Sequence, residues 1–285
     1  MTPPTPPATS PSQPTLPAID ARDVRYRHPD GTLAVDGASV RVEQGTRVAL
    51  LGANGAGKST LLQLLGGLKE PSAGSVSWFG ERDVETVRPR LGVLLQDADD
   101  YLFNPTVRED LAYGPRQLGL SADAVDERVA SLAARFDLDG LLDRPPFRLS
   151  GGEKRRAAVA AALSVDPDVL LLDEPVSHLD AQNRRLLLDE LDALAADGVT
   201  TVVATPDPDL VPEVADRVCL LGPSGTVVAD GTPREVLTDE PRLREAGLRP
   251  PTLVRLFEGL DDVDGEVPVS LTEARATLRA WRGRE

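Results

Sequence analysis

The sequence predicts an α/β fold built around a phosphate-binding loop, and three stretches carry that prediction. RVALL, residues 47–51, reads as an apolar strand that runs through GANGAGKST into the helical run LLQLLGGL. DPDVLLLDEP, residues 166–175, places four apolar residues in front of two carboxylates. TVVATPDPDL, residues 201–210, is a β-branched strand that stops at two prolines alternating with two aspartates. Its unbroken apolar character is that of a strand covered on both faces.

The 285 residues are enough for one large domain or a domain with a lobe, and 41% of them are hydrophobic, a globular value. No stretch reaches the ~18 apolar residues of a membrane span. The start, MTPPTPPATSPSQPTLP, lacks the basic and apolar regions of a secretory signal and predicts a disordered Pro/Thr-rich tail over 1–17. Cys219 is the single cysteine, which excludes an internal disulfide; within VCLL it reads as a buried bystander. The net charge of −15 argues against nucleic acid as a partner, because a phosphate backbone demands a basic face. Lysine occurs only at 58, 69 and 154, while arginine and aspartate abound. Such a surface suits a high-salt cytoplasm, and a GC-rich genome would produce the same bias.

Gly52, Ala53, Asn54, Gly55, Ala56, Gly57, Lys58, Ser59 and Thr60 follow the pattern G-x-x-x-x-G-K-[ST] in the strand–loop–helix frame it requires. The glycines let backbone N–H groups wrap phosphates, and the helix start adds partial positive charge. Lys58 would reach the β- and γ-phosphates of ATP, and Ser59 offers its hydroxyl to Mg²⁺. Asp173 and Glu174 end a buried strand, the edge at which open α/β sheets bind ligands. Asp173 is suited to the Mg²⁺ shell and Glu174 to polarising an attacking water. An acidic pair there also caps helices, but here it follows a phosphate loop. In RLSGGEKRRAAVAAAL, Ser150 and Glu153 read locally as a capping box. A capping box needs no double glycine, however, and Gly151 and Gly152 make a second anion-accepting nest. One chain does not easily fold that nest onto its own phosphates, which hints at a dimer.

GANGAGKST, LSGGEKRR and VLLLDEP together resemble the ATP-binding subunit of ABC transporters. Residues 91–120 and 231–251 resemble more narrowly the energy-coupling-factor group, the cobalt, nickel and vitamin importers. The resemblance covers about residues 18–258. It implies a P-loop NTPase (RecA-like) core with an antiparallel β portion over 18–235 and a helical lobe inserted at about 97–158. A C-terminal helical extension fills 236–285. It also implies a homodimer or heterodimer with another ABC ATP-binding subunit, an integral membrane transport subunit, and a peripheral place on the cytoplasmic face of the membrane. Carried over, Gln96 would touch Mg²⁺ or water; Ser150, Gly151, Gly152 and Glu153 would face the partner's nucleotide; His178 and Asp180 would lie in the loop that crosses the interface.

Three positions depart from the family pattern. The aromatic expected to stack on adenine is His28, with Tyr26 two residues earlier as a competitor. Ala98 and Tyr101 stand where proline and glutamine are usual. The loop after TVVAT reads Thr-Pro-Asp instead of Thr-His-Asp, so Pro206 supplies no donor to the γ-phosphate. The sequence thus also admits a regulatory subunit that binds ATP with little hydrolysis, and a soluble non-transport ABC protein. The short span from Lys58 to Ser150 and the acidic charge count against the latter. His178, the other histidine, is the candidate substitute for the missing side chain.

Overall fold

The computed structural model describes residues 16–260 and 266–282. Strands β1 (Ile19–Arg27) and β2 (Leu33–Val42) form a hairpin whose first strand also pairs with β4 (Ala73–Trp78), giving an antiparallel sheet in the order β2-β1-β4. A second sheet holds β3 (Arg47–Leu51), β5 (Leu91–Leu94), β6 (Val169–Asp173), β7 (Thr200–Thr205), β8 (Arg217–Leu221) and β9 (Val227–Gly231) in the order β5-β6-β7-β3-β8-β9. All its pairings are parallel except β8–β9.

Residues alternate between two buried faces along these parallel strands. Ala49, Leu51, Leu170, Leu172 and Val203 belong to one core. Val48, Leu50, Leu171, Val202, Ala204 and Cys219 belong to the other. A strand buried on both faces cannot afford the polar half of an alternating pattern, which is why these segments read as continuous apolar runs. Cys219 is fully buried in the second core, where desolvation pushes its thiol up to about 12. It is chemically inert there.

Helix α1 (Lys58–Leu65) follows β3 and buries Leu61, Leu62, Leu64 and Leu65 against the second core. The short α2 (Val84–Val87) precedes β5. Between β5 and β6 come α3 (Val107–Gln117), α4 (Ala122–Arg135) and α5 (Gly151–Leu163), packed around buried Phe136 and Leu138. Helix α6 (Ala181–Ala196) precedes β7, and α7 (Val211–Val214) precedes β8. The chain ends in α8 (Pro233–Leu237), α9 (Glu240–Glu245), α10 (Thr252–Glu258) and α11 (Leu271–Arg282).

The expected limits differ from the elements in three places. Helix α5 runs on past 158, since its Ala-rich body carries no helix breaker before the Ser164–Val165 turn. The limit after 235 falls inside α8, whose start is fixed by the Thr232–Glu235 capping box. Of the tail, residues 1–15 lie outside the described residues. Leu16 and Pro17 are seated on the fold: Gln44 Nε2 donates to the Leu16 carbonyl at 2.7 Å, and Pro17 is buried. In the extension, Arg234 donates to the Val267 carbonyl at 2.5 Å and to Glu273 at 2.8 Å, tying α8 to α11.

Candidate functional site

The parallel register decides what meets at the carboxyl edge of the large sheet. Strand β7 lies between β6 and β3, with Asp173 opposite Ala204 and Leu51 opposite Thr205. The three segments singled out by sequence therefore leave the sheet side by side.

After β3 the loop wraps through two left-handed glycines, Gly55 (φ 81°) and Gly57 (φ 89°). A Cβ on Gly57 would stand 2.2 Å from the Ala34 carbonyl oxygen, so only glycine fits beneath β2. Gly57 caps α1 without a side-chain bond, which leaves the first amides of the helix open to an anion. Lys58 is 5% exposed, and its Nζ donates to the carbonyls of Gly52 (2.9 Å) and Ala53 (3.0 Å). Burial lowers its pKa, while the carboxylates of Glu174 and Asp173 hold it up. The ammonium thus bridges two carbonyls of the loop it starts from.

Asp173 is 1% exposed, and its Oδ1 has no hydrogen-bond partner. Burial pushes its carboxyl above the usual range; the Ser59 hydroxyl and the charges of Lys58 and Arg155 pull it back. A buried carboxylate oxygen without a partner, beside a serine hydroxyl, is a donor set that fits a hard cation such as Mg²⁺. Among the described residues no cluster of three or more His, Cys, Asp or Glu could hold a metal by itself. The fit is thus to a cation that takes its remaining oxygens from phosphate and water.

One cleft of about 480 Å³ is lined by His28, Asn54, Lys58, Ser59, Thr60, Gln96, Glu174 and His178. Tyr26 is drawn elsewhere. Its ring meets His28 edge-on at 5.2 Å, and Lys69 sits over it with Nζ 3.4 Å from the phenol oxygen. Strand β1 ends at Arg27, so His28 turns into the cleft while Tyr26 stays on the sheet. Glu174 and His178 both hold non-glycine left-handed backbones, φ 47° and 60°. Such conformations cost of order 1 kcal/mol and cluster where geometry matters. Pro206 is half-buried and is not among the residues that line this cleft.

The glycine pair lies apart from that cleft, and it is no separate nest: Gly151 and Gly152 lie in the first turn of α5, and neither has the left-handed backbone that a nest requires. Gly151 opens on a neighbouring cleft of about 460 Å³ with Gln96, Arg155, Ser177 and His178. Ser150 and Glu153 form the capping box in full: Ser150 N–H donates to Glu153 at 2.7 Å and Glu153 N–H to the Ser150 hydroxyl at 3.3 Å. The Glu153 carboxylate is thereby committed to its own helix start. Gly152 has the reason for its missing side chain that the sequence did not show: a Cβ would come 2.5 Å from Asn183 Nδ2. Asn183 in turn is held by Asp180, which caps α6 and accepts Asn183 N–H at 2.8 Å and Nδ2 at 2.7 Å. Tyr101 also gains a role, since its hydroxyl accepts the Leu95 N–H at 3.1 Å, just before Gln96. Asn183 and Arg155 carried no signal in sequence beyond their place near named motifs.

Residues 35–177 match the ABC transporter family. An energy-coupling factor transporter ATP-binding protein EcfA of Methanothermobacter thermautotrophicus is 42% identical over 88% of this chain and 82% of its own length. One from Methanococcus maripaludis is 40% identical over 91% and 96%. Among solved structures, cbiO1 of Clostridium perfringens, part of the ABC transporter complex cbiONQ, superposes with a TM-score of 0.71 at 32% identity, covering 85% of this chain and 99% of that one. A dimeric ATP-binding cassette bound to ADP and Pi shares the fold at 24% identity, with a TM-score of 0.67 over 75% of this chain and 98% of its own.

Proposed function

The chain belongs to the ABC transporter family as one of its ATP-binding proteins, and from that premise we propose that it hydrolyses ATP to drive an energy-coupling-factor importer. The observation that carries this reading is the convergence of Lys58, Ser59, Gln96 and Glu174 on one cleft beside Asp173, whose Oδ1 has no hydrogen-bond partner. Loop amides and Lys58 hold the phosphates, His28 stacks on the base, and Glu174 takes a proton from the attacking water with Gln96 beside it. Ser59, Asp173 and Gln96 are the residues that would hold Mg²⁺, which when bound would neutralise charge on the β- and γ-phosphate oxygens. Two such subunits, identical or different, close with Gly151 and Gly152 of one over the nucleotide of the other. No helix of the described residues is long and apolar enough to cross a membrane. The likeness to energy-coupling factor transporter ATP-binding proteins supports a peripheral place on the cytoplasmic face, against an integral membrane subunit. Co-purification with membrane components, followed by ATP-dependent uptake of candidate metals and vitamins in vesicles, tests the reading; ATP turnover unaffected by any membrane partner would refute it.

Asp173→Asn gives a test independent of turnover. The folded pKa of Asp173 is raised, so its charged form costs stability above that pKa, and the cost lifts as pH falls through it. At neutral pH the asparagine variant is expected to melt a few degrees higher than wild type without nucleotide, and to lose the added stabilisation by Mg-ATP. A lower melting temperature would show that the carboxylate is satisfied without a cation.

Pro206 keeps the low-hydrolysis reading in play, and His178 decides it. Because His178 lines the cleft and Pro206 does not, His178→Ala is expected to lower turnover about tenfold at unchanged ATP affinity. Pro206→His, and the less restricted Pro206→His/Pro208→Leu, are expected to stay within about twofold of wild type. A gain in the histidine variants with no loss in His178→Ala would identify a subunit that binds ATP more than it hydrolyses it.

A further inference from the structure

We propose that Arg155 is a positioning residue that sets the geometry of Glu174 and Gln96 from the helix that opens with Gly151 and Gly152; this rests on the catalytic reading of Glu174 above. Arg155 is 5% exposed on α5. Its guanidinium spans two loops: Nη2 donates to the Glu174 carbonyl at 2.7 Å and Nη1 to the Leu95 carbonyl at 3.3 Å. Both bonds fall where the backbone must be held. Glu174 has a left-handed φ of 47°, and its carbonyl also accepts the Ser177 hydroxyl at 2.8 Å. Its N–H is tied to the Ala204 carbonyl at 2.9 Å. Leu95 is pinned on its other side by Tyr101, so the residue before Gln96 is held at both its N–H and its carbonyl.

A buried guanidinium is costly unless paired, and a methionine would pack there without that cost. What the arginine adds is a rigid fork that reaches two carbonyls at once, on the side facing Asp173 and Glu174. Arg155 also lies four residues after Gly151, on the same helix face, and the two open on one cleft. The helix start proposed to meet a partner's nucleotide and the clamp on this chain's own catalytic loop are thus one turn of helix apart.

The test compares Arg155→Met and Arg155→Lys in the assembled complex, reading turnover, KM, affinity for a fluorescent ATP analogue and melting. Arg155→Met is expected to lose about tenfold or more in kcat with KM and affinity within about twofold, and Arg155→Lys, which reaches one carbonyl, about threefold. Because the clamp acts through Glu174 as well as Gln96, adding Arg155→Met to Glu174→Gln is expected to lower the residual turnover by no more than about threefold, clearly less than the loss in wild type. Turnover of folded Arg155→Met near wild type, affinity falling in step with kcat, or a full further loss in the Glu174→Gln background would each overturn the proposal. Should Arg155→Met fail to melt cooperatively, Arg155→Lys decides: wild-type turnover overturns the clamp, and loss at unchanged affinity supports it. Wild-type turnover in Glu174→Gln alone would instead overturn the assignment of Glu174, a result separable from any failure of Arg155.

Discussion

Glu174→Gln is expected to lower ATP turnover by roughly a thousandfold while leaving nucleotide binding intact. The change keeps the shape of the side chain, and the backbone that aims it is held by Ala204, Ser177 and Arg155 regardless of the side-chain charge. What disappears is the proton acceptor for the attacking water. On the proposed reading the loop amides and Lys58 carry binding, and losing a carboxylate beside the phosphates would remove repulsion, so ATP affinity is expected to hold or rise slightly. With hydrolysis stalled, the closed state accumulates, and light scattering is expected to show a dimer that needs ATP and Mg²⁺. A loss of less than about tenfold in turnover would remove Glu174 from the role of base. A variant that stays monomeric at saturating ATP and dimerises only with a second ATP-binding subunit would identify a heterodimer.

What was legible in sequence was what local physics dictates. GANGAGKST could be read because its turn, its open helix start and its lysine are fixed by neighbours within nine residues, in a frame of strand and helix. VLLLD and TVVAT could be read as central parallel strands because both faces are buried, and their neighbourhood at one sheet edge followed. Contacts made by distant chain were not legible. Nothing near Gly152 announces that Asn183 fills the space above it, and nothing in KRR says that Arg155 reaches two loops while Arg156 turns to the carbonyls of Phe136 and Asp137. The choice between His28 and Tyr26 turned on where β1 stops, and on Lys69 from another segment claiming the phenol. Tyr101 read as a departure from the family; in three dimensions it is a hydrogen-bond acceptor for Leu95.

Lys58→Ala is expected to weaken ATP binding by about a hundredfold, since it removes charge-assisted bonds worth roughly 1.5–3 kcal/mol each. Without nucleotide the ammonium sits on the carbonyls of Gly52 and Ala53, at one end of a helix whose first amides are uncapped. ATP offers it a stronger acceptor at the cost of little movement, because the loop is already shaped by Gly55 and Gly57. The alanine variant keeps the amides but not the charge, and its two loop carbonyls lose their partner, so some loop order goes as well. Lys58→Arg is not a rescue: the site encloses its cation to 5% exposure, and a planar fork is too broad for it. The effect carries a pH signature. Burial holds the Lys58 pKa below the ordinary lysine value, so the wild-type protein loses its ammonium, and with it affinity, at a lower pH than an exposed lysine would. Affinity measured across the alkaline range is expected to fall along that limb in wild type and to stay flat in Lys58→Ala. Tight binding by the alanine variant, or an identical alkaline fall in both proteins, would show that Lys58 does not hold the phosphates.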